Sequence, residues 1–178
     1  MCAIEVRPSI GTDRLVLRGP VAGDAPAITE LANDPGVVGM LQTWPYPYEL
    51  THAEAWLAKV GRADPACRTD FVVEHRQFGV MGVVGVGAKD PARPELGYWL
   101  GRPFWGRGYA TEAVSATLDW VKAGWRKKVV WAGHFADNAA SGQVLCKAGF
   151  LYTGDVVTRP SLGRGGAATP SRMMVWLA

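Results

Sequence analysis

The run Glu95-Leu-Gly-Tyr-Trp-Leu-Gly-Arg-Pro-Phe-Trp-Gly-Arg-Gly-Tyr-Ala-Thr-Glu112 decides how this chain is read. It begins as a strand over Glu95 to Leu100, passes through a glycine turn carrying Arg102 and Arg107, and opens a helix. Ala110, Ala113, Val114, Thr117, Leu118, Val121 and Trp125 recur at helical spacing, which predicts a helix over about Gly108 to Ala123. A glycine turn between strand and helix suits an anion. Gly106 and Gly108 let backbone come close, the first helical N–H groups have no partner in the helix, and the N-terminus adds partial positive charge. Arg102 and Arg107 can bring full charges to phosphates. An ordinary strand-to-helix turn has the same spacing, so the turn alone leaves both readings open.

Two nucleotide motifs fail here. Gly101-x4-Gly106-Arg107-Gly108 is close to a P-loop but lacks its lysine and the following hydroxyl that holds magnesium. A dinucleotide fingerprint lacks its third glycine. Downstream, Lys128 to Gly133 reads as a short apolar strand. Asn138 then caps a helix to about Lys147, closed by Gly149 with Phe150 behind it. Upstream, Phe71 to Glu74 and Val80 to Ala88 flank a turn at Arg76 to Gly79, the pattern of a hairpin.

Arg14 to Arg18 alternates as a strand, and Asp24 to Met40 reads as two helical pieces joined at Asp34-Pro35-Gly36. Trp44-Pro45-Tyr46-Pro47-Tyr48 cannot be helical. Thr51-His52-Ala53-Glu54 reads as a capping box opening a helix to about Val60. Strands are expected near Leu151 to Val157 and Met173 to Leu177, with a mobile Gly-rich stretch from Ser161 to Ser171 between them. This order implies an α/β fold: one domain over residues 1–178, with a mixed sheet of about six to seven strands and helices on its faces.

Composition excludes several classes. Of 178 residues, 48% are hydrophobic, enough for a core despite 22 glycines and 12 prolines. The longest apolar run, Val80 to Ala88, falls far short of the ~20 residues that span a bilayer. The start MCAIEVRPSI lacks the pattern of a signal peptide. A formal charge of +3 without a dense basic block argues against a nucleic-acid partner. Cys2, Cys67 and Cys146 are scattered and suit reduced thiols in a cytoplasmic protein, with no metal spacing.

Glu95 to Phe150 resembles the GNAT superfamily of N-acetyltransferases, in particular the branch that acetylates ribosomal-protein N-termini. Gly97-Tyr-Trp-Leu100, Trp105-Gly-Arg-Gly-Tyr-Ala-Thr-Glu-Ala113, Asn138-x-x-Ser141 and Lys147-Ala-Gly-Phe150 match in order and spacing. The resemblance reaches back through Thr12-Asp-Arg-Leu-x-Leu-Arg18 and Pro47-Tyr48-x4-Ala53-x-x-Trp56-Leu57, and so covers nearly the whole chain. One departure is Pro103, which stands where the family's phosphate loop usually begins with Arg or Gln.

The resemblance implies a mostly antiparallel, splayed sheet, and acetyl-coenzyme A as donor to a primary amine, of a peptide N-terminus or a small molecule. Transfer would be direct, within a ternary complex of a monomer or homodimer and without metal. It places the pyrophosphate on amides from about Gly106 to Ala110, that is Gly106, Arg107, Gly108, Tyr109 and Ala110, with Thr111 also among the cofactor-binding residues. The pantetheine arm would lie along Trp99, Leu100, Gly101 and Trp105, in the slot where this strand splays from Lys128 to Gly133. Asn138 would contact the arm and Ser141 would lie near the sulfur. Trp44, Tyr46 and Tyr48 would wall the acceptor site, with core packing as the alternative.

The chemistry needs a neutral amine, a polarised thioester carbonyl and a proton for the departing thiolate. Backbone N–H near Trp99 or Leu100 suits the carbonyl. Glu95 is the candidate general base and Ser141 the candidate acid. Tyr109, Tyr152 and His134 are rivals, while Cys146 has no local base to make it a nucleophile. A non-catalytic acyl-coenzyme A sensor is the alternative on the same scaffold, and a nucleotide hydrolase is opposed by the missing lysine.

Overall fold

Strand alternation sorts the apolar residues onto two faces, and each face carries its own helices. The computed structural model describes residues 8–88, 90 and 92–178; Cys2 and the first residues lie outside them. The eight strands are β1 (Ile10–Gly11), β2 (Leu15–Arg18), β3 (Arg68–His75), β4 (Gly79–Gly87), β5 (Glu95–Leu100), β6 (Val129–Phe135), β7 (Leu151–Ser161) and β8 (Ala167–Leu177). They form one sheet in the order β1-β2-β3-β4-β5-β6-β8-β7. Every neighbouring pair is antiparallel except β5 and β6. The fold is the expected mixed one, with the two-residue β1 as the strand that the sequence pattern did not show.

On one face, Phe71, Val73, Val84, Leu96 and Leu100 pack under α4 (Tyr109–Trp120) and α5 (Ala139–Lys147), meeting Ala113, Val114, Leu118 and Leu145. On the other, Val72, Val83 and Trp99 pack under α1 (Ala25–Ala32), α2 (Pro35–Val38) and α3 (Leu50–Gly61), meeting Ile28, Val37, Val38 and Ala53. The period of two is thus resolved residue by residue.

Local chemistry sets most boundaries. The Asn138 side chain accepts from Ser141 N–H at 3.1 Å, so α5 starts as its cap dictates. Phe150 N–H returns to Leu145 C=O at 3.0 Å and ends the same helix. Helix α3 corrects the expected capping box. It starts at Leu50, and the Glu49 N–H is met by His52 Nδ1 at 3.0 Å, two residues earlier than the Thr51–Glu54 reading.

A larger correction concerns residues 161–171. They are ordered as the tip of the β7–β8 hairpin rather than a loose loop. Ser161 Oγ donates to Leu41 C=O at 2.9 Å, and Leu162 N–H to Gln42 C=O at 3.0 Å. Arg164 donates to both oxygens of Asp137 at 2.7 and 3.1 Å. Those bonds hold the Asp137 carboxyl below its ordinary range. The hairpin tip therefore ties the segment after α2 to the loop before α5, walling the cleft described next.

Candidate functional site

Strands β5 and β6 stay paired only at Glu95–Trp131 and Leu96–Ala132, then part. Beyond that point a cleft of about 370 Å³ opens through the sheet. Tyr98, Leu100, Tyr109, Asn138 and Ser141 line it on one side of the sheet, and Met40, Leu41 and Gln42 on the other. Which β5 groups face the gap follows from alternation. Trp131 N–H donates across the gap to Pro94 C=O at 2.8 Å, whereas Gly101 N–H turns the other way, to Met81 C=O, also at 2.8 Å. Even-numbered residues therefore present their amides to the gap. Of the expected carbonyl donors, Leu100 keeps that position, while the Trp99 amide faces β4, and Tyr98 takes its place. Trp105 Nε1 donates to Leu100 C=O at 2.7 Å, fixing the end of the strand.

The glycine turn has the geometry its sequence suggests. Gly106 and Gly108 sit at φ of +74° and +80°, where a Cβ is strained, and no side chain caps α4. Nothing would lie within 4 Å of a Cβ at Gly106, so the turn is open on that side. Its support comes from an ion pair that the sequence did not single out. Glu112, in the first turn of α4, accepts from Thr12 Oγ1 at 2.6 Å, Arg14 N–H at 3.0 Å and Arg14 Nε at 2.7 Å. Arg14 also donates to Arg107 C=O at 3.0 Å and lies 4.4 Å from the Tyr109 ring centroid. Burial works to raise the Glu112 carboxyl, but those hydrogen bonds outweigh it and hold it below its usual value. Thr12 and Arg14 in one motif and Glu112 in another were its only sequence signal.

Arg102 is held by a carboxylate that the sequence reading did not pair with it. Its Nε and Nη2 donate to Asp34 at 2.6 and 2.9 Å, while Asp34 also accepts from Gly36 N–H at 2.7 Å at the start of α2. The hydrogen bonds from Arg102 lead in lowering the Asp34 carboxyl to about 2. Arg107 is exposed and has no carboxylate partner among the described residues.

Glu95 lies at the closed end of the cleft, with Arg159 of β7 gripping both its oxygens: Nη1 on Oε1, and Nη2 on Oε2 at 3.2 Å. Ser141 lies across the gap, its Oγ 2.8 Å from the Tyr98 hydroxyl, which also reaches Ser141 C=O at 3.3 Å. Burial pushes the Tyr98 phenol up to about 12, against a smaller downward pull from Ser141. Tyr98 was absent from the candidates; its alternation with Leu96 and Leu100 is the signal that could have found it.

His134 Nδ1 faces Phe135 C=O at 2.8 Å, and a carbonyl can only accept. Nδ1 is therefore the donor there, and Nε2 lies 3.0 Å from the Tyr152 hydroxyl. Of the expected acceptor wall, Tyr48 is buried, and Trp44 stacks on it at 4.7 Å and meets Trp99 edge-on at 5.0 Å. Both pack into the α1–α3 core, while Tyr46 is half exposed. None of the three lines the cleft. Cys67 and Cys146 are exposed free thiols. Among the described residues, no His, Cys, Asp or Glu cluster has the makings of a metal site.

Comparison with known proteins agrees with this geometry. Residues 14–151 match the model of the acetyltransferase (GNAT) domain, and the chain belongs to that family. It is 30% identical to the uncharacterized N-acetyltransferase p20 of Bacillus licheniformis over 114 residues, which span 61% of this chain and 63% of p20. Among solved structures, RimJ of Mycobacterium smegmatis in complex with CoA-disulfide superposes with a TM-score of 0.84 at 19% identity, over 97% of this chain and 88% of that one. The microcin C7 self-immunity acetyltransferase MccE, in complex with acetyl-CoA and AMP, superposes with a TM-score of 0.81 at 17% identity, over 99% of this chain and all of that one (100%). No helix among the described residues is long and apolar enough to cross a membrane.

Proposed function

We propose that this chain is an N-acetyltransferase that moves the acetyl group of acetyl-coenzyme A directly to a primary amine. The observation that carries the reading is a single cleft joining three features: the unpaired edge of β5, the uncapped glycine turn at α4, and a carboxylate at the closed end. The turn suits a pyrophosphate. Gly106 leaves room for it, the N–H groups of Tyr109, Ala110 and Thr111 are free of helical partners, and Arg107 adds charge nearby. The edge amides of Tyr98 and Leu100 suit the amide-bearing pantetheine arm and the thioester carbonyl. Asn138 uses its oxygen to cap α5 and keeps its side-chain N–H₂ for the arm.

In this reading the residues divide the proton work. Glu95 accepts the proton of the attacking amine, directly or through a water, on the lone pairs that Arg159 leaves open. Arg159 holds that carboxylate in one orientation. The Tyr98–Ser141 pair lies across the gap and supplies a hydroxyl donor to the departing thiolate. With Tyr98 near 12, Ser141 keeps a neutral phenol as its partner at neutral pH. Neutralising an α-amine at pH 7 costs roughly 1 kcal/mol, and a lysine amine nearly 5, which favours α-amines as acceptors. The reading places a single-domain enzyme in the cytoplasm, using no metal.

Arg159 occupying Glu95 favours one alternative: an acyl-coenzyme A-binding domain without turnover. A screen of N-terminal peptides, amino acids, polyamines and aminoglycosides, read by release of free thiol, separates the two. Turnover on an α-amine supports the enzyme. Coenzyme A binding with no turnover on any amine supports the sensor.

A further inference from the structure

A second cavity, of about 490 Å³, meets the cleft at Glu95. Its charged residues are Arg93, Glu95, Asp155 and Arg159, and Trp131 and Met173 give it an apolar floor. The charges are not equivalent. Glu95 and Arg159 neutralise each other through two hydrogen bonds. Arg93 has no carboxylate partner among the described residues; its guanidinium lies over the Trp131 ring, 4.2 Å from the centroid. A guanidinium held on an aromatic face is oriented without its hydrogen-bonding fork being used up. Trp131 is the register partner of Glu95 across β5 and β6, so the free cation is held beside the carboxylate proposed to receive the amine proton. Asp155, on the irregular stretch of β7, is exposed and takes a hydrogen bond from Thr153 Oγ1 at 3.1 Å.

We propose that this cavity seats the acceptor and selects one whose amine lies within a residue of a carboxylate, with Arg93 as the residue that reads that carboxylate. This rests on the acetyltransferase reading above and adds the substrate class. An incoming amine finds the exposed carboxylate of Asp155 and the Glu95 lone pairs that Arg159 leaves open, while the acceptor's carboxylate finds the open fork of Arg93, in the bidentate geometry Arg is suited to. A neutral acceptor leaves Arg93 unanswered. A cationic one meets it with like charge.

The test compares peptide amides Ser-Asp-Ala, Ser-Asn-Ala and Ser-Lys-Ala as acceptors, for the wild type and Arg93→Gln. Acetyl transfer is measured alongside calorimetric binding of each peptide to the coenzyme A-loaded protein. The wild type should prefer the Asp peptide over the Asn peptide by about tenfold or more in kcat/KM and in affinity, with the Lys peptide last. Arg93→Gln should remove most of that preference through KM, and 1 M salt should shrink it. Wild-type acetylation of all three with equal efficiency would overturn the proposal and leave the acetyltransferase standing. So would a preference that survives in Arg93→Gln. Coenzyme A binding with neither acetylation nor binding of any peptide would overturn both.

Discussion

The Tyr98 hydroxyl lies 2.8 Å from Ser141 Oγ, bridging β5 to the first turn of α5 across the cleft. The two hydroxyls form a unit, so their removal should not add. Ser141→Ala is expected to lower kcat about a hundredfold, in the range of a lost general acid, and Tyr98→Phe about tenfold, by releasing Ser141. The double variant should be no slower than Ser141→Ala alone. Steady-state kinetics on all three variants check this. Effects that multiply would mean that the hydroxyls act separately.

The turn at Gly108 has a φ of +80°, and a Cβ there would come within 3.4 Å of Arg14 Nη2. Gly108→Val combines a forbidden dihedral with a branched side chain at the proposed phosphate cradle. Coenzyme A binding should weaken at least tenfold, about 1.4 kcal/mol, with the circular dichroism spectrum retained. Calorimetry giving the wild-type Kd would remove the pyrophosphate from this turn.

Acid should weaken the Arg102–Asp34 pair. The Asp34 carboxyl sits at about 2 when folded, below its ordinary value of 3.8. A lowered carboxyl stabilises the fold above its unfolded value, and that contribution is lost as pH falls from about 4 towards 2. Arg102→Met should therefore be less stable than the wild type at pH 7 and approach it near pH 2. The gap should be small and should shrink further in salt, since the pair is partly exposed. Urea titrations across this range check it. A gap that does not close on acidification would contradict the assignment.

Much of the fold was legible because its signals are local. The strand Glu95–Leu100, the Asn138 cap and the Phe150 closure each depend on residues within a few positions. Partners far along the chain were hidden. Gly165 and Gly166 read as a loose loop, yet Ser161 is anchored by Leu41, 120 positions away. Arg102 read as a phosphate ligand because its own segment is built for anions, but Asp34, 68 positions earlier, holds it. Glu95 read as a general base with no partner assigned to it, and Arg159, 64 positions on, grips it. Side-chain pairing across a sheet depends on register and on the order of strands, which hydrophobic alternation alone does not specify.

The most direct measurement of the account is thiol release by the wild type and Glu95→Gln, side by side from pH 6 to 9, with an α-amine peptide as acceptor. The substitution keeps shape and hydrogen bonding but cannot take the amine's proton. In Glu95→Gln, kcat should be lower by about two orders of magnitude near pH 7, with coenzyme A affinity nearly unchanged and a gap that narrows as the amine arrives already neutral. Equal kcat for the two proteins across that range would contradict it, because Glu95 would then be a structural partner of Arg159 and the proton would leave by another route.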